Sequence, residues 1–521
     1  MSTESKPTLL IANRGEIAIR VARTAKALGF STVAVYSDAD RFSEHVRACD
    51  QAIYIGPSAP NESYLNVERV IDAAKRTGAK YIHPGYGFLS ERPHFVEACE
   101  KAGLVFVGPS AESMRLMGDK IQARATVDRL NVPRVPGSPG AVPDSAEAAR
   151  FAAQVGYPVL LKAAAGGGGK GMRRVDSESE IHAAFESSSR EALGAFGDGS
   201  MYVEKLILRP HHIEVQVFGD GKGGAIHLGE RECSIQRRHQ KVWEESPSPL
   251  MERFSEARQR MFDCAVHVAR EVKYAGAGTF EFVADEQGNF YFLEMNTRLQ
   301  VEHPVSEWVN GVDLVAWQIL LAAGQFSLPK QESLTRRGSS IEVRLYAEDP
   351  LTFLPAPGAI GSVQYPSGAF VRVDAAVTEA AEVPMHYDPM IAKVSVWGAT
   401  RTEAVNRMRV ALDETRVEPP KKLSGEAQGS LKTNLSFLKR LARHPRVIEG
   451  DTTTDLIASD PALTQPAPQL TGQEKGDWEA QIALAILQQV RSQQSGVLQS
   501  STQQGLSGWA VLARKEGVRS Q

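Results

Sequence analysis

The stretch EMNTRLQVEHP, residues 294–304, decides the fold because it follows the apolar run FYFL directly and has polar side chains at alternate positions. In an extended chain, alternate side chains point to the same face. One face therefore carries apolar residues such as Leu299, and it is the opposite face that is polar. That polar face either meets water or lines a site. Its members are Glu294, Asn296, Arg298, Gln300 and Glu302.

The residues before this stretch predict a β-hairpin. In GAGTFEFVADEQGNFYFLEMN, a turn centred on Gln287 and Gly288 places Glu281 opposite Glu294. Like charges directly across a ladder are destabilising unless a cation lies between them. Two carboxylates with Asn296 form a hard oxygen donor set that suits Mg²⁺ held together with phosphates. The alternative is that both acids face water on an exposed sheet.

A glycine-rich segment, AAAGGGGKGM, lies between the apolar runs PVLLK and MRRV. Glycines let backbone amides approach phosphate oxygens, and Lys162 and Lys170 add positive charge. The segment is not a Walker A loop, because Gly171 stands where Ser or Thr is required. We predict a hairpin that covers a nucleotide, with a plain flexible loop as the alternative.

A third cluster, LGERECSIQRRHQKVWEESP, is rich in basic and polar groups. The crowded residues are Gln236, Arg237, Arg238, His239 and Lys241. Taken alone, such a run is usually a solvated surface, but phosphates and two acid-bearing strands both need positive partners. The fork of Arg298 suits a carboxylate, bicarbonate or phosphate, and Glu302 is placed to act as a general base.

The alternation of strands and helices predicts several domains of α/β and α+β type. Residues 1–115 predict a parallel α/β domain, and residues 116–206 a linker helix, SAESMRLMGDKIQARATVDRL, followed by a small α+β unit. Residues 207–455 predict a strand-rich block. Residues 456–521 predict a weakly ordered tail with one short helix, WEAQIALAILQQV.

Composition narrows the classes of function. A net charge of −3 provides no broad basic field for nucleic acid or an anionic membrane, and no window has the length of apolar chain that a membrane span needs. Four scattered cysteines without a CxxC pair argue against a disulfide framework and favour the cytoplasm. IANRGEIAIR, with Asp38 as a ribose acid, invites a dinucleotide site, but NRGEIA is not GxGxxG.

Together these motifs resemble the biotin carboxylase component of biotin-dependent carboxylases, in the ATP-grasp superfamily. The resemblance covers residues 8 to about 395, and more weakly to about 455. Its stretches, in family order, are IANRGEIAIR, IHPGYGFLSE, LLKAAAGGGGKGMR, HHIEVQVFGD, ERECSIQRRHQKVWEESP, GAGTFEF, FLEMNTRLQVEHPVSE, IEVRLYAEDP and YDPMIAKV. It implies an N-terminal α/β domain, an ATP-grasp lid and a C-terminal ATP-grasp and β-rich domain. Ala164, Ala165 and Lys170 depart from a common form of the lid, and residues 416–430 look like an insertion.

The resemblance also implies a role for each matching residue. ATP would be held by Lys120, Lys162, Glu204, Lys205, Leu206, His212, Gln236 and His239, with Gly166, Gly167, Gly168 and Gly169 as the lid loop. The ATP-bound Mg²⁺ or Mn²⁺ would be held by Glu281, Glu294 and Asn296. Bicarbonate would be held by Lys241, Arg298, Gln300 and the Val301 backbone. Glu302 would be the base, and Arg344 would bind the ureido oxygen of biotin.

The implied activity is that of an ATP-dependent ligase, the first half-reaction of an acetyl-CoA or acyl-CoA carboxylase. No AMKM-type biotinylation motif occurs in the 521 residues. We therefore expect biotin on a separate carrier protein, with carboxyltransferase subunits as further partners and a homodimer as the assembly. Two alternatives remain open at this stage. They are another ATP-grasp ligase that forms a carbon–nitrogen bond, and a non-catalytic nucleotide-binding subunit.

Overall fold

A computed structural model of the chain describes residues 6–163, 172–237, 240–425 and 427–465. The first part of the chain forms a five-stranded parallel sheet in the order β3-β2-β1-β4-β5. Its strands are β1 (Thr8–Ile11), β2 (Ser31–Ser37), β3 (Gln51–Gly56), β4 (Tyr81–His83) and β5 (Val105–Phe106). Its helices are α1 (Gly15–Ala27), α2 (Glu44–Ala48), α3 (Val67–Thr77) and α4 (Pro93–Lys101).

This sheet is buried on both faces, as crossover helices require of a parallel sheet. Leu9 and Ile11 of β1 pack into one hydrophobic cluster with Ile17 and Val21 of α1, whereas Leu10 packs into the cluster on the other face. The strand, turn, helix and strand predicted for this part are all present. Gly29 follows α1 with a φ of +86°, a conformation that glycine adopts without strain.

The single helix predicted after this domain is two helices, and that prediction was wrong. α5 (Ala111–Gly118) ends at Asp119, whose extended backbone breaks the helical run. The Asp119 side chain then accepts a hydrogen bond at 2.9 Å from the backbone N–H of Gln122, inside α6 (Lys120–Arg129). An aspartate in this place acts as an N-cap and favours a new helix start over continuation.

A small α+β unit follows. Its three-stranded antiparallel sheet has the order β7-β6-β8. The unit contains α7 (Ser145–Val155), β6 (Val159–Ala163), β7 (Met172–Val175), α8 (Glu178–Phe196) and β8 (Met201–Lys205). The glycines between β6 and β7, which the sequence predicts to cover a nucleotide, lie outside the described residues.

Residues 211–398 contain an eight-stranded antiparallel sheet. Its strands are β9 (His211–Asp220), β10 (Ala225–Arg237), β11 (Gln240–Ser246), β12 (Ala275–Ala284), β13 (Phe290–Asn296), β14 (Ser339–Tyr346), β17 (Val371–Ala375) and β19 (Met390–Gly398). Four shorter strands lie outside this sheet. They are β15 (Gly358–Ala359), β16 (Ser362–Gln364), β18 (Glu382–Val383) and β20 (Arg416–Glu418). The order is β13-β12-β9-β10-β11-β14-β19-β17, and β15-β18 and β16-β20 form small separate sheets. The remaining helices are α9 (Ser255–Glu271), α10 (His303–Asn310), α11 (Leu314–Ala322), α12 (Arg401–Glu414), α13 (Leu435–Leu441), α14 (Pro445–Glu449), α15 (Leu456–Ser459) and α16 (Pro461–Thr464).

The two faces of this large sheet differ in chemistry, and this difference positions the site. Ile341 and Val343 of β14 pack with Val394 of β19 into a hydrophobic core. The residues that alternate with them, such as Arg344 and Lys393, lie on the opposite face, where they are also buried. Helix α10 covers that second face against β10, β11, β14 and β19. Around β14 and β19 the sheet therefore has one apolar face and one buried polar face, and charged side chains meet on the polar face.

The predicted α/β and α+β fold class is confirmed. Residues 456–464, which the sequence places in the tail, form α15 and α16, and Leu456, Ile457 and Leu463 are buried in the C-terminal core. Residues 466–521, with the predicted tail helix, lie outside the described residues. None of the helices in the described ranges is long and apolar enough to cross a membrane.

Candidate active site

One largely buried ammonium group joins three carboxylates on the polar layer of the large sheet. Lys241 on β11 contacts Glu214 on β9, lies 3.0 Å from Glu281 Oε1 on β12 and lies 2.8 Å from Glu302 Oε1. Buried charges are tolerated when they are paired in this way. The cluster draws together four side chains from four separate places in the chain, and the sequence had singled out three of them.

Glu302 is held between two cations. Its second oxygen, Oε2, accepts a hydrogen bond at 2.9 Å from Arg344, whose Nε donates at 2.6 Å to Glu244. Glu302 is 2% exposed and immediately precedes helix α10 as its N-cap residue. Glu302 therefore contacts both Lys241 and Arg344, and all three were predicted site residues.

The charges of this cluster set the pKa values of its acids. Burial raises the pKa of Glu302, but the neighbouring Lys241, Arg344 and Arg231 more than offset this, and the net pKa lies below the ordinary value. The same balance of burial against Lys241 lowers the pKa values of Glu281 and Glu214. Glu302 is thus ionised at neutral pH, which is the state that a proton acceptor needs.

His212 on β9 adds a further positive charge next to these acids. Its Nε2 lies 3.0 Å from Glu281 Oε2 and 3.3 Å from Glu214 Oε1. Burial lowers the pKa of His212, but the two carboxylates raise it more, to about 9. His212 also meets Gln236, whose Nε2 lies 2.9 Å from His212 Nδ1. Two of the residues predicted to bind ATP are therefore at the acid cluster.

The β12/β13 hairpin has the predicted pairing, with Glu281 opposite Glu294. Near the turn the register differs by one residue, and a bulge between Glu281 and Phe282 restores the predicted alignment. The Nδ2 of Asn296 donates to Glu281 Oε1 at 2.7 Å. Two carboxylates and one amide oxygen at the end of a hairpin fit the hard oxygen donors that Mg²⁺ or Mn²⁺ prefers.

The polar alternation predicted for residues 294–302 does not continue as a strand. β13 ends at Asn296, and the chain then makes a turn that leads into α10. The Gln300 side chain is buried. Its Nε2 donates at 2.8 Å to Glu281, and its side-chain oxygen Oε1 accepts a hydrogen bond from Arg231. Buried hydrogen bonds from other strands, which local spacing does not reveal, decide the path of this turn.

Arg298 lies at the edge of the site. Its Nε donates to Glu91 Oε2 at 2.9 Å, and its terminal nitrogen donates to Asn296 Oδ1 at 2.8 Å. Arg298, Val301 and Arg344 line a cavity of ≈ 1010 Å³ between the N-terminal sheet and the loops after β17. The cavity reaches the cluster at Arg344, which donates to Glu302.

The other residues predicted to bind ATP lie on the small α+β unit and its junction with the large sheet. Lys162 on β6 contacts the carboxylate of Glu204 on β8. The ammonium of Lys205 donates to the carbonyls of residues 156 and 157 at 2.8 and 3.0 Å, and the Leu206 N–H donates to Pro158 at 3.1 Å. The side chain of Lys120, residues Gly166 to Gly169 and His239 lie outside the described residues.

Two residues of the cluster were not predicted from the sequence: Glu214, which contacts Lys241, and Arg231, which donates to Glu214. Arg231 is fully buried, and it donates to Glu214 Oε2 at 3.0 Å and to Gln216 Oε1 at 2.6 Å. Residues 214 and 216 alternate with Ile213, Val215 and Val217 on β9. A charged and an amide side chain in alternation with β-branched residues was the available signal, because a strand between two others rarely buries charge without a partner.

The fold and the site define an ATP-grasp enzyme, with a parallel N-terminal domain, a small sheet for the lid and a large antiparallel sheet that carries the acid cluster. Three family models match in order along the chain. They are the biotin carboxylase N-terminal domain at residues 5–114, the carbamoyl-phosphate synthase L chain ATP-binding domain at residues 119–330, and the biotin carboxylase C-terminal domain at residues 342–459.

Known proteins agree with these matches. The chain is 49% identical over 449 residues to biotin carboxylase 2 of Bacillus subtilis, which covers 86% of this chain and 98% of that protein. It is 48% identical to the propionyl-CoA carboxylase alpha chain of Ruegeria pomeroyi, over 87% of this chain and 68% of that one. A crystal structure of the biotin carboxylase domain of Hydrogenobacter thermophilus 2-oxoglutarate carboxylase, with MgADP, ADP and bicarbonate, superposes with a TM-score of 0.77, at 44% identity over 88% of this chain and 99% of that one.

The chain belongs to the biotin carboxylase family. It is an enzyme, an ATP-dependent ligase of the kind that carboxylates biotin. The resemblance drawn from the sequence motifs is confirmed.

Proposed function

We propose that this enzyme carboxylates biotin with bicarbonate through a carboxyphosphate intermediate, with Glu302 as the base. The observation that carries the proposal is the position of Glu302, held ionised between Lys241 at 2.8 Å and Arg344 at 2.9 Å. Anions that enter this site compete with Glu302 for Lys241. Their binding weakens the interaction that lowers the pKa of Glu302 and so makes it a stronger base.

The proposed first step joins two anions. Bicarbonate lies against Lys241, Arg298, Gln300 and the Val301 backbone. Gln300 is held in place because it donates to Glu281 and accepts from Arg231. Glu302 removes the bicarbonate proton, the freed oxygen attacks the γ-phosphorus of ATP, and the bond to ADP breaks. Cations near the transferred group offset the charge that builds up there.

The proposed second step transfers carbon to biotin. Carboxyphosphate breaks down to CO₂ and phosphate, and the phosphate takes the N1′ proton of biotin. The guanidinium of Arg344 stabilises the negative charge that develops on the ureido oxygen, and the N1′ lone pair attacks CO₂. The cavity lined by Arg298, Val301 and Arg344 supports an entry route for biotin.

We propose that Glu281, Glu294 and Asn296 hold Mg²⁺ or Mn²⁺, which would neutralise phosphate oxygens of ATP. Their oxygen donors at the end of one hairpin support this. We further propose that ATP is bound by the residues that match the family motifs. These are Lys120, Lys162, Gly166, Gly167, Gly168, Gly169, Glu204, Lys205, Leu206, His212, Gln236 and His239.

The partners are also proposals. Relatives named as parts of larger enzymes support action within a multi-component carboxylase. Examples are the Ruegeria pomeroyi alpha chain and the alpha subunit of methylcrotonoyl-CoA carboxylase from Dictyostelium discoideum. We propose a biotin carboxyl carrier protein and carboxyltransferase subunits as partners, a homodimer, and an acetyl-CoA or acyl-CoA carboxylase as the complete enzyme. The domain boundaries at residues 115, 206 and 455, and the cytoplasmic location, stay predictions.

The test is ATP hydrolysis by the purified chain with Mg²⁺, bicarbonate and free biotin. We expect ADP release that requires bicarbonate and rises with biotin, together with formation of carboxybiotin. ADP release that is independent of biotin and is accompanied by a new carbon–nitrogen bond in another acceptor would indicate a different ligase. ATP binding without turnover would indicate a non-catalytic protein.

A further inference from the structure

A second buried lysine, Lys393, lies behind the turn that carries Val301 and Glu302. It occupies the middle of β19, where it pairs across the ladder with Arg344 of β14 on one side and Asp374 of β17 on the other. Directly opposed residues of an antiparallel pair point to the same face. Lys393 therefore shares the buried polar layer with Arg344, and it is 1% exposed.

The ammonium of Lys393 is closest to a backbone carbonyl. Its Nζ donates to Val301 O at 2.5 Å, whereas Glu16 Oε1 lies 3.6 Å away and Asp374 Oδ2 lies 4.0 Å away. Among the described residues, Val301 is its one hydrogen-bond partner. A buried ammonium usually lies nearest to a carboxylate. Its position here is set by the turn, and the acids around it provide charge compensation at longer range.

Both nearby acids are already engaged by other groups. Asp374 accepts hydrogen bonds from Arg372 at 2.7 and 3.0 Å, and Glu16 accepts from the hydroxyl of Tyr86. These contacts hold the two carboxylates away from Lys393 and leave its ammonium directed at the Val301 carbonyl. The arrangement therefore directs the Lys393 ammonium at a single peptide bond.

That peptide bond joins Val301 to Glu302. Fixing its carbonyl fixes the backbone torsion that sets where Glu302 begins α10, with φ −80° and ψ 10°. The turn has a second anchor, because the His303 ring nitrogen Nδ1 lies 2.8 Å from the carbonyl of Gln300. Burial and the nearby cations, with Lys393 foremost, hold the pKa of His303 well below its usual range, so the ring is neutral.

We propose that Lys393 is a positioning residue for the bicarbonate half of the reaction, because it locks the Val301–Glu302 peptide from behind. The inference rests on the proposed function and adds a residue that touches neither bicarbonate nor ATP. An error of about 1 Å in the place of a reacting group costs on the order of 100-fold in rate. Loss of this anchor therefore acts on bicarbonate use and leaves the ATP-binding residues of the small sheet in place.

The test is Lys393→Met, which keeps the length of the side chain and removes its donor. We expect the KM for bicarbonate to rise by about 10- to 100-fold, with the KM for ATP within twofold of wild type. Lys393→Arg keeps a charged donor and should recover part of the loss. Arg258→Met is the matched control. It removes the ion pair between Arg258 and Glu230, whose charged atoms are 2.6 Å apart, at a place away from the turn.

The ratio of the two KM changes decides the outcome. A selective loss for bicarbonate in Lys393→Met, absent in Arg258→Met at a similar fall in Tm, supports the proposal. Equal changes for bicarbonate and ATP, or no change, overturn it. If Lys393→Met does not fold, the same ratio is measured in Lys393→Gln, whose shorter side chain withdraws the donor from Val301. Wild-type protein without bicarbonate-dependent turnover would instead refute the proposed function.

Discussion

Replacing Glu302 by glutamine should remove most bicarbonate-dependent ATP turnover and leave the fold in place. The carboxylate accepts one charge-assisted hydrogen bond from Lys241 at 2.8 Å and one from Arg344 at 2.9 Å. Glutamine has one oxygen to accept either bond, and its amide nitrogen faces the other cation. Loss of a hydrogen bond to a charged group costs about 1.5–3 kcal/mol of stability.

The structure indicates why the variant remains folded. Lys241 keeps its contacts with Glu214 and Glu281, and Arg344 keeps its hydrogen bond to Glu244. Neither cation is left buried without a partner, which is the situation that would cost the most. A general base typically contributes about 10²- to 10⁴-fold to rate, which corresponds to about 3–5 kcal/mol in the activation free energy.

The assay follows ADP release at saturating ATP and Mg²⁺, with and without bicarbonate, and ATP binding is measured separately on the same samples. Glu245→Gln is the matched control, because Glu245 is a buried acid of the same strand as Lys241 but pairs with Arg401 at 2.6 Å. Turnover of the folded Glu302→Gln variant within about tenfold of wild type would refute the role of base.

Arg344→Ala should lower biotin-dependent turnover by about 100-fold or more, because one preorganised hydrogen-bond donor is lost. ATP affinity measured by calorimetry should stay within twofold of wild type. An equal loss of both would contradict the assignment of Arg344 to biotin. Glu281→Gln should raise the Mg²⁺ concentration for half-maximal ATP hydrolysis by about tenfold or more, and an unchanged Mg²⁺ requirement would remove Glu281 from the metal site. Asp40 has a pKa lowered to about 2: burial raises it, but the Arg14 guanidinium lowers it more. Its stabilising effect, about 2 kcal/mol, is therefore present above about pH 4 and lost as the pH falls through 2. Asp40→Asn should lower Tm at pH 7, and the gap to wild type should narrow on acidification; a constant gap would show that ionisation of Asp40 is not involved.

Local sequence was sufficient for the elements that depend on near neighbours. The strand-turn-helix pattern of the first domain and the Glu281–Glu294 pairing follow from periodicity and turn residues a few positions apart, and both are present in the structure. The split of the linker helix at Asp119 was missed. A single aspartate inside a helical run has two local solutions, and the capping geometry decides between them.

The strand predicted from the alternating residues 294–302 ends at Asn296. Alternating polar residues predict a strand, yet Gln300 turns inward because Arg231 and Glu281 offer it buried hydrogen bonds. Those two partners come from strands that are distant in sequence. Their combined effect outweighs the local preference for an extended chain, because an amide without partners is costly to bury.

The sequence by itself determined the family, the order of the domains and the residue types available for anion and metal chemistry, because long motifs and short-range periodicity carry that information. Only the tertiary structure decided that Lys241, Glu214, Glu302 and Arg344 share one buried charge cluster and that Lys393 stands behind it. The physical reason is that strand order in an antiparallel sheet brings residues 214, 241, 344 and 393 onto one face. The energy of a buried charge depends on those neighbours, which no local stretch of the chain specifies.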